Sequence, residues 1–336
     1  MMRRGFAVVI FVPIALASVL YGCASISRQN VPSEARPSAL LKQEASTGWS
    51  KYDVFPEVRQ WSGEFPDKAY HAAYDAIEDA QPSVDLSSFS LTTQQADALI
   101  MAVFNRINFE FSYIHDITHS QDNKTLNFEY SHSPEECRAM VASFESRAQE
   151  LTTTVLHPSY SEFRNVLSIY DWVLTHAQYS DTTSQGADMY NAYSAIVDET
   201  SICLGFTNAL RYLLTRVGVE CLSISSEDGS HMWNIVKIDG EYYHIDVTWG
   251  LGNDLQYFGI NDDQRRAYNA FPDGWFVGNP NYWKIEAPMC DSDRFAPLWQ
   301  ASNYSLAEDG LHYYRPENDT PMVWGWNSTE PKQKGT

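Results

Sequence analysis

The sequence predicts an α+β fold, and three observations carry the prediction. Residues 92 to 217 hold apolar side chains at three- and four-residue steps, the period of helices with one buried face. Three strand-like runs follow, VECLSISS, HMWNIVKI and YYHIDVTW. The last two are joined by Asp239-Gly240, the strongest short-range hairpin signal. Helices followed by an antiparallel hairpin imply a helix packed on an antiparallel sheet, with a mainly helical region ahead of it.

The chain opens MMRRGFAVVIFVPIALASVLYGC, in which Arg3 and Arg4 precede an apolar run of roughly 15 residues, the pattern of a secretory signal. The run is short for a membrane span and contains Pro13. The stretch Leu20-Tyr21-Gly22-Cys23 resembles a bacterial lipobox, which implies a signal over residues 1–22, cleavage before Cys23 and lipid on its sulfur. An uncleaved amino-terminal anchor is the competing reading. Residues 23–51 are rich in Ser, Ala and Pro without apolar period, so they read as a tether spanning roughly 30 Å on average. The folded part is expected from about Tyr52, outside the cytoplasm and held to a membrane by lipid.

With 44 % hydrophobic residues, the remaining chain is globular, with enough length for one large or two small domains. Lys and Arg number 23 against 43 Asp and Glu, a net charge of −20 that disfavours nucleic acid. If Cys23 is lipidated, Cys137, Cys203, Cys221 and Cys290 remain. They show no CxxC or Cys/His ligand spacing, so neither a structural metal nor any other cofactor is expected, and their disulfide state stays open.

LTTQQADALIMAVFNRI forms a helical stripe with Thr92 or Thr93 as N-cap. NFEFSYI and KTLNFEYS read as short strands, and SPEE at Ser133 opens a helix with a capping box to Glu136. SEFRNVLSIYDWVLTHAQY sets Phe163, Val166, Leu167, Tyr170, Val173 and Leu174 on one face. SICLGFTNALRYLLTRVG is a further helix, N-capped by Thr200 or Ser201 and stopped by Gly218. Its buried stripe includes Cys203, whose first-turn position favours thiolate, although cysteine also serves as plain core filling.

A two-residue loop at Asp239-Gly240 pairs Ile238 with Glu241 and so sets Trp233 opposite Asp246 and His231 opposite Thr248. His231 and Asp246 are then diagonal neighbours on one face, within reach of a side-chain hydrogen bond. A thiol, an imidazole and a carboxylate in that relation have the logic of a Cys-His-Asp triad.

These segments, SICLGFTNALRYLLTRVGVECLSIS and GSHMWNIVKIDGEYYHIDVTWG, resemble the catalytic core of the bacterial transglutaminase-like superfamily, cysteine enzymes of papain-like fold. Cys203, Gly205 and Phe206, then His231, Trp233 and Asn234, then Asp246, Thr248 and Trp249 occupy the places of the family pattern. Met232, Leu204 and Phe206 depart mildly from it. The likeness extends over roughly residues 70 to 290, through VLSIYDWVLTHAQYSD and YNAYSAIVDE upstream and LQYFGINDDQRR downstream.

The resemblance implies acyl transfer or hydrolysis through a thioester on Cys203, with His231 moving protons and Asp246 orienting it. The Cys203 backbone N–H is an oxyanion candidate; Tyr193 and Trp233 are pocket candidates, each equally readable as packing. Protein or cell-wall peptide is the expected substrate. The implied organisation is an N-terminal region over 52–157, a catalytic core over 158–290 and an extension over 291–336. The alternative is a non-catalytic peptide- or glycan-binding lipoprotein of the same fold, using aromatics such as Trp299, Trp324 and Trp326, although these read more readily as core and tail packing. A carboxy-terminal hairpin and a disordered STEPKQKGT tail complete the expectations.

Overall fold

The computed structural model describes residues 49–180, 189–252, 254–268, 271, 273–279, 283–315 and 317–334. The expected signal, Cys23 and the tether up to residue 48 lie outside the described residues. The fold begins before Tyr52: the Trp49 ring packs edge-on against Tyr212 at 6.2 Å, and Lys51 pairs with Asp75 at 2.7 Å and Glu78 at 2.6 Å. Among the described residues no helix is long and apolar enough to cross a membrane.

The N-terminal region comprises α1 (Pro56–Ser62), α2 (Asp67–Glu78), β1 (Ser83–Asp85), α3 (Thr93–Glu110), β2 (Ile114–His119), β3 (Thr125–Tyr130) and α4 (Pro134–Thr154). The three strands form a sheet in the order β1-β3-β2. Capping boxes start both long helices, Thr92 with Gln95 for α3 and Ser133 with Glu136 for α4. The first strand expected here is displaced. NFEFSYI alternates like a strand, yet α3 continues through Glu110, where Arg106 pairs with Glu110 one turn on at 2.8 Å and Tyr74 donates its hydroxyl to Glu110 at 2.7 Å. Both ion-pair partners are buried, so unwinding this turn would strand two charges in the interior.

Then come α5 (Glu162–His176), β4 (Gln178–Tyr179), α6 (Ala192–Ile196), β5 (Thr200–Ser201) and α7 (Cys203–Arg216). These lead to β6 (Cys221–Ser226), β7 (Met232–Ile238), β8 (Glu241–Ile245), α8 (Val247–Gly250), β9 (Phe258–Ile260), α9 (Asp262–Ala267), β10 (Trp275–Asn279) and β11 (Trp283–Glu286). Six strands make an antiparallel sheet in the order β11-β10-β6-β7-β8-β9, and α7 packs across β6 and β7. The expected face of α5 is buried at Phe163, Val166, Leu167, Tyr170 and Val173, with Leu174 at its margin.

The carboxy-terminal segment departs from expectation. Four strands, β12 (Ser302–Leu306), β13 (Gly310–Arg315), β14 (Thr320–Gly325) and β15 (Lys332–Gln333), form one sheet in place of a single hairpin. The tail expected to be disordered supplies β15, which pairs Lys332 with Val323 and Gln333 with Met322. Backbone pairing at a sheet edge does not require apolar side chains, so composition gave no sign of it. Trp324 and Trp326 are buried against Phe163 of α5 at 5.5 and 5.9 Å, and Ser161 donates to the Trp326 carbonyl at 2.6 Å. They are core side chains, which removes them from any ligand-contacting surface; Trp299 is half-buried and donates to the Gly259 carbonyl at 3.3 Å. One hydrophobic cluster runs from Phe55 through α3, α5 and α7 to Trp326.

Cys137, Cys203, Cys221 and Cys290 are all buried free thiols.

Candidate active site

Cys203 is the first residue of α7, and the chain around it is held by side bonding rather than by the cap expected from sequence. The N-cap is Ile202, in extended conformation and without a side-chain cap. Ser201 is otherwise engaged: its hydroxyl donates to the Met189 carbonyl at 2.7 Å and shares a hydrogen bond with Ser194 Oγ at 2.8 Å. Gly205 permits this close docking, because a β-carbon there would lie against Ser201 Oγ and 2.8 Å from the Asn191 carbonyl oxygen. The N–H of Cys203, at the first helical position, has no acceptor within the helix.

His231 and Asp246 arrive from the hairpin. Asp239 and Gly240 both take positive φ, 52° and 92°, the requirement of a two-residue type I′ turn. The register runs Ile238↔Glu241 to Asn234↔Ile245, as the dipeptide implies. The strand expected through Trp249 stops earlier, however. Asp246 accepts the Trp249 N–H on Oδ1 at 3.0 Å and so N-caps α8, which takes Thr248 out of the ladder and away from a pairing with His231. The other oxygen, Oδ2, lies 2.8 Å from His231 Nε2.

With Nε2 engaged by Asp246, Nδ1 is the nitrogen left for the thiol, and His231 is the charge partner that draws the Cys203 thiol down. Asn234 fixes the distance between the two elements. Its amide donates to the Thr207 carbonyl in α7 at 3.0 Å and the Leu222 carbonyl in β6 at 3.2 Å, tying the strand that follows His231 to the helix that starts at Cys203.

The electrostatics favour the charged pair. Burial pushes the Cys203 thiol up, but the hydrogen bond and charge of His231, with the Met232 backbone N–H, outweigh it and leave the thiol below its ordinary value. Burial pulls His231 down, whereas Asp246 and the thiol raise it to about 9. Asp246, fully buried, is pushed up by burial and brought down to about 2 by His231 and Arg265. Both shifts run toward the thiolate–imidazolium form of the pair.

Rings enclose the imidazole. Trp249 lies 5.0 Å from it and nearly parallel, Phe271 5.6 Å and Trp233 5.8 Å. Trp233 is thus both wall and core residue, being buried. Tyr193 sits in α6 with its ring packed among Phe111 and Phe144, at 6.3 and 6.4 Å.

Three members of the site were not identified from sequence. Arg265 is buried and donates to Asp246 Oδ2 at 3.0 Å. His244 and Asp262 support Trp233: the indole N–H donates to His244 Nδ1 at 2.9 Å, and His244 Nε2 lies 2.9 Å from Asp262 Oδ1. An indole nitrogen only donates, so Nδ1 is the acceptor and Nε2 carries the proton. His244, Asp262 and Cys290 lie close enough together to suggest a metal site. The tautomer argues against it, because the nitrogen facing Asp262 has no lone pair to offer. An N-cap at Asn261, which accepts the Gln264 N–H at 2.8 Å, was the legible sign that LQYFGINDDQRR ends in a helix.

Residues 145–247 match the family model of the transglutaminase-like superfamily. Kyphoscoliosis peptidase of Mus musculus is 22 % identical over 130 residues, covering 34 % of this chain and 20 % of its own, and that of Homo sapiens is 22 % identical over 124 residues, covering 32 % and 19 %. The chain thus spans about a fifth of the length of these curated relatives. Among solved structures, a TGase crystal structure aligns with a TM-score of 0.27 and 13 % identity, over 40 % of this chain and 44 % of that one.

Proposed function

We propose that the chain is a cysteine enzyme acting on protein or peptide amides, a reading supported by the match of residues 145–247 to the transglutaminase-like superfamily model and by the mixed helix and sheet fold around Cys203. The observation that carries the reading is the burial of Cys203, His231 and Asp246 together, with a 2.8 Å imidazole–carboxylate contact behind a thiol that His231 draws down.

In the reaction, Cys203 Sγ attacks the amide carbonyl carbon and forms the C–S bond. His231, already imidazolium, gives its proton to the nitrogen as the C–N bond breaks and the amine leaves. Water or an amine then attacks the thioester and yields its proton to His231, and the C–S bond breaks to return the thiolate. Asp246 keeps the imidazole in one tautomer and orientation. The Cys203 N–H, unused within its helix, is the donor for the oxyanion. Hydrolysis is favoured over amine transfer: water needs no second binding site, and both curated relatives are called peptidases.

The lipobox-like Leu20-Tyr21-Gly22-Cys23 supports placement outside the cytoplasm on a lipid anchor at Cys23, facing protein or cell-wall peptide. The experiment is to incubate the chain with glutamine-containing peptides, with and without a primary amine, following peptide cleavage, ammonia release and amine incorporation for wild type and Cys203→Ala. Turnover abolished in Cys203→Ala, with water the preferred acceptor, is the expected result; turnover unchanged in that variant overturns the reading.

A further inference from the structure

Arg265 is a buried cation whose one ionic partner among the described residues is the carboxylate behind the imidazole. Its Nη1 donates to Asp246 Oδ2 at 3.0 Å, the same oxygen that His231 Nε2 approaches at 2.8 Å. The guanidinium is held between two indoles, its central carbon 4.1 Å from the Trp233 ring centroid and 4.5 Å from Trp249, with Phe271 at 5.2 Å. Nε and Nη2 are buried without a hydrogen-bond partner among the described residues, and the ring faces are what they lie against. A buried arginine with two donors left on aromatic faces is an expensive way to fill space.

Taking Cys203 and His231 as the reacting pair, we propose that Arg265 is a positioning residue. Its guanidinium divides one oxygen of Asp246 between two cations, holds that carboxylate ionised, and sets how firmly the Cys203–His231 pair keeps its proton. α9 is the element that delivers it, and one turn earlier the same helix delivers Asp262 to His244 behind Trp233. One short helix therefore braces both the carboxylate and the wall of the site.

The titratable groups around Arg265 are Asp246, His231 with Cys203 beyond it, His244 and Asp262 from β8 and α9, and Tyr257 and Tyr268. Both tyrosines are pushed up by burial and stay neutral near neutrality, and His244 is held neutral by burial. Near neutrality the proton that moves is the one shared by Cys203 and His231. Removing the Arg265 charge leaves the site more negative, so both groups hold protons to higher pH.

The test is the pH dependence of iodoacetamide alkylation at Cys203 in the full chain, mapped by peptide mass, for wild type, Arg265→Gln and Arg265→Lys. Glutamine can still donate to Asp246 but carries no charge; lysine keeps the charge without the planar fork. The Gln variant is expected to move the alkylation midpoint up by about one unit, so that its rate at the wild-type midpoint falls about fivefold, while Lys stays near wild type. If Arg265→Gln does not fold, Arg265→Met fills the same arm, its chain occupying the gap between the indoles. An unmoved midpoint in the neutral variant, or equal shifts in neutral and Lys variants, overturns the proposal. A wild-type midpoint near the ordinary thiol value that is indifferent to His231→Ala would instead overturn the reacting pair itself.

Discussion

Trp233 donates its indole N–H to Nδ1 of His244 at 2.9 Å, and that one bond decides the tautomer of a buried imidazole. His244 must then carry its proton on Nε2, facing Asp262, and is neutral; burial brings it down to about 4. The wall of the candidate site thus rests on a histidine that must not be protonated on Nδ1.

This relationship predicts an acid-side loss of stability. The unfolded chain protonates His244 near 6.5, while the folded chain resists until about 4. Between these values the unfolded state binds more protons, so the contribution is intact above about 6.5 and falls as pH drops toward 4, by roughly 3 kcal/mol in all. His244→Gln offers an acceptor to Trp233 and a donor to Asp262 without titrating. Urea unfolding at pH 7 and pH 4.5 should therefore show a larger drop for wild type than for the variant; equal drops would contradict the assignment.

Gly205→Ala should disable the site through its backbone. The added carbon would meet the Asn191 carbonyl oxygen at 2.8 Å, and a main-chain oxygen cannot swing aside as a side chain can. Overpacking of this kind costs about 1–3 kcal/mol or more. Cys203 lies two residues away, so loss of Cys203 alkylation below pH 7 should accompany the lowered melting temperature. A variant with wild-type reactivity would show that the α7 start tolerates displacement.

The N-terminal region is pinned to the helix that starts at Cys203 by Glu57 of α1 and Arg211 of α7, paired at 2.5 Å with both side chains 5 % exposed. Arg211 also lies over the Phe55 ring at 3.5 Å. Glu57→Ala leaves a buried charge unpaired and should cost about 3–5 kcal/mol in chemical denaturation. Replacing both residues by Met should restore most of that loss. If the single and double variants are equally destabilised, the pair does not carry the docking.

How much of this was legible depended on whether a signal was local. The helices at Thr92 and Ser133 announce their own capping boxes, and Asp239-Gly240 fixes the hairpin register by turn geometry alone. That register brings His231 and Asp246 together within a short span of chain. Asp246 itself was read as a strand residue because Asp-x-Thr-Trp continues the strand pattern, although aspartate is also an N-cap, and the cap wins. Arg265 was beyond reach for another reason. In Asp-Asp-Gln-Arg-Arg it reads as one of two exposed charges; what buries it is a slot between Trp233 and Trp249, built by residues distant in sequence. Trp324 and Trp326 read from sequence as core and tail packing ahead of ligand contact, and Phe163 across the fold shows that they do face inward.

The central claim is that Cys203 and His231 share a proton so that the thiol is a thiolate near neutrality. The most direct measurement is the alkylation rate of Cys203 against pH for wild type and His231→Ala. The account predicts fast wild-type alkylation persisting well below the ordinary thiol value of about 8.5, at pH 6 at least about tenfold faster than His231→Ala, which reverts to ordinary thiol behaviour. Superimposable profiles for the two proteins, both rising only near pH 8.5, would contradict it.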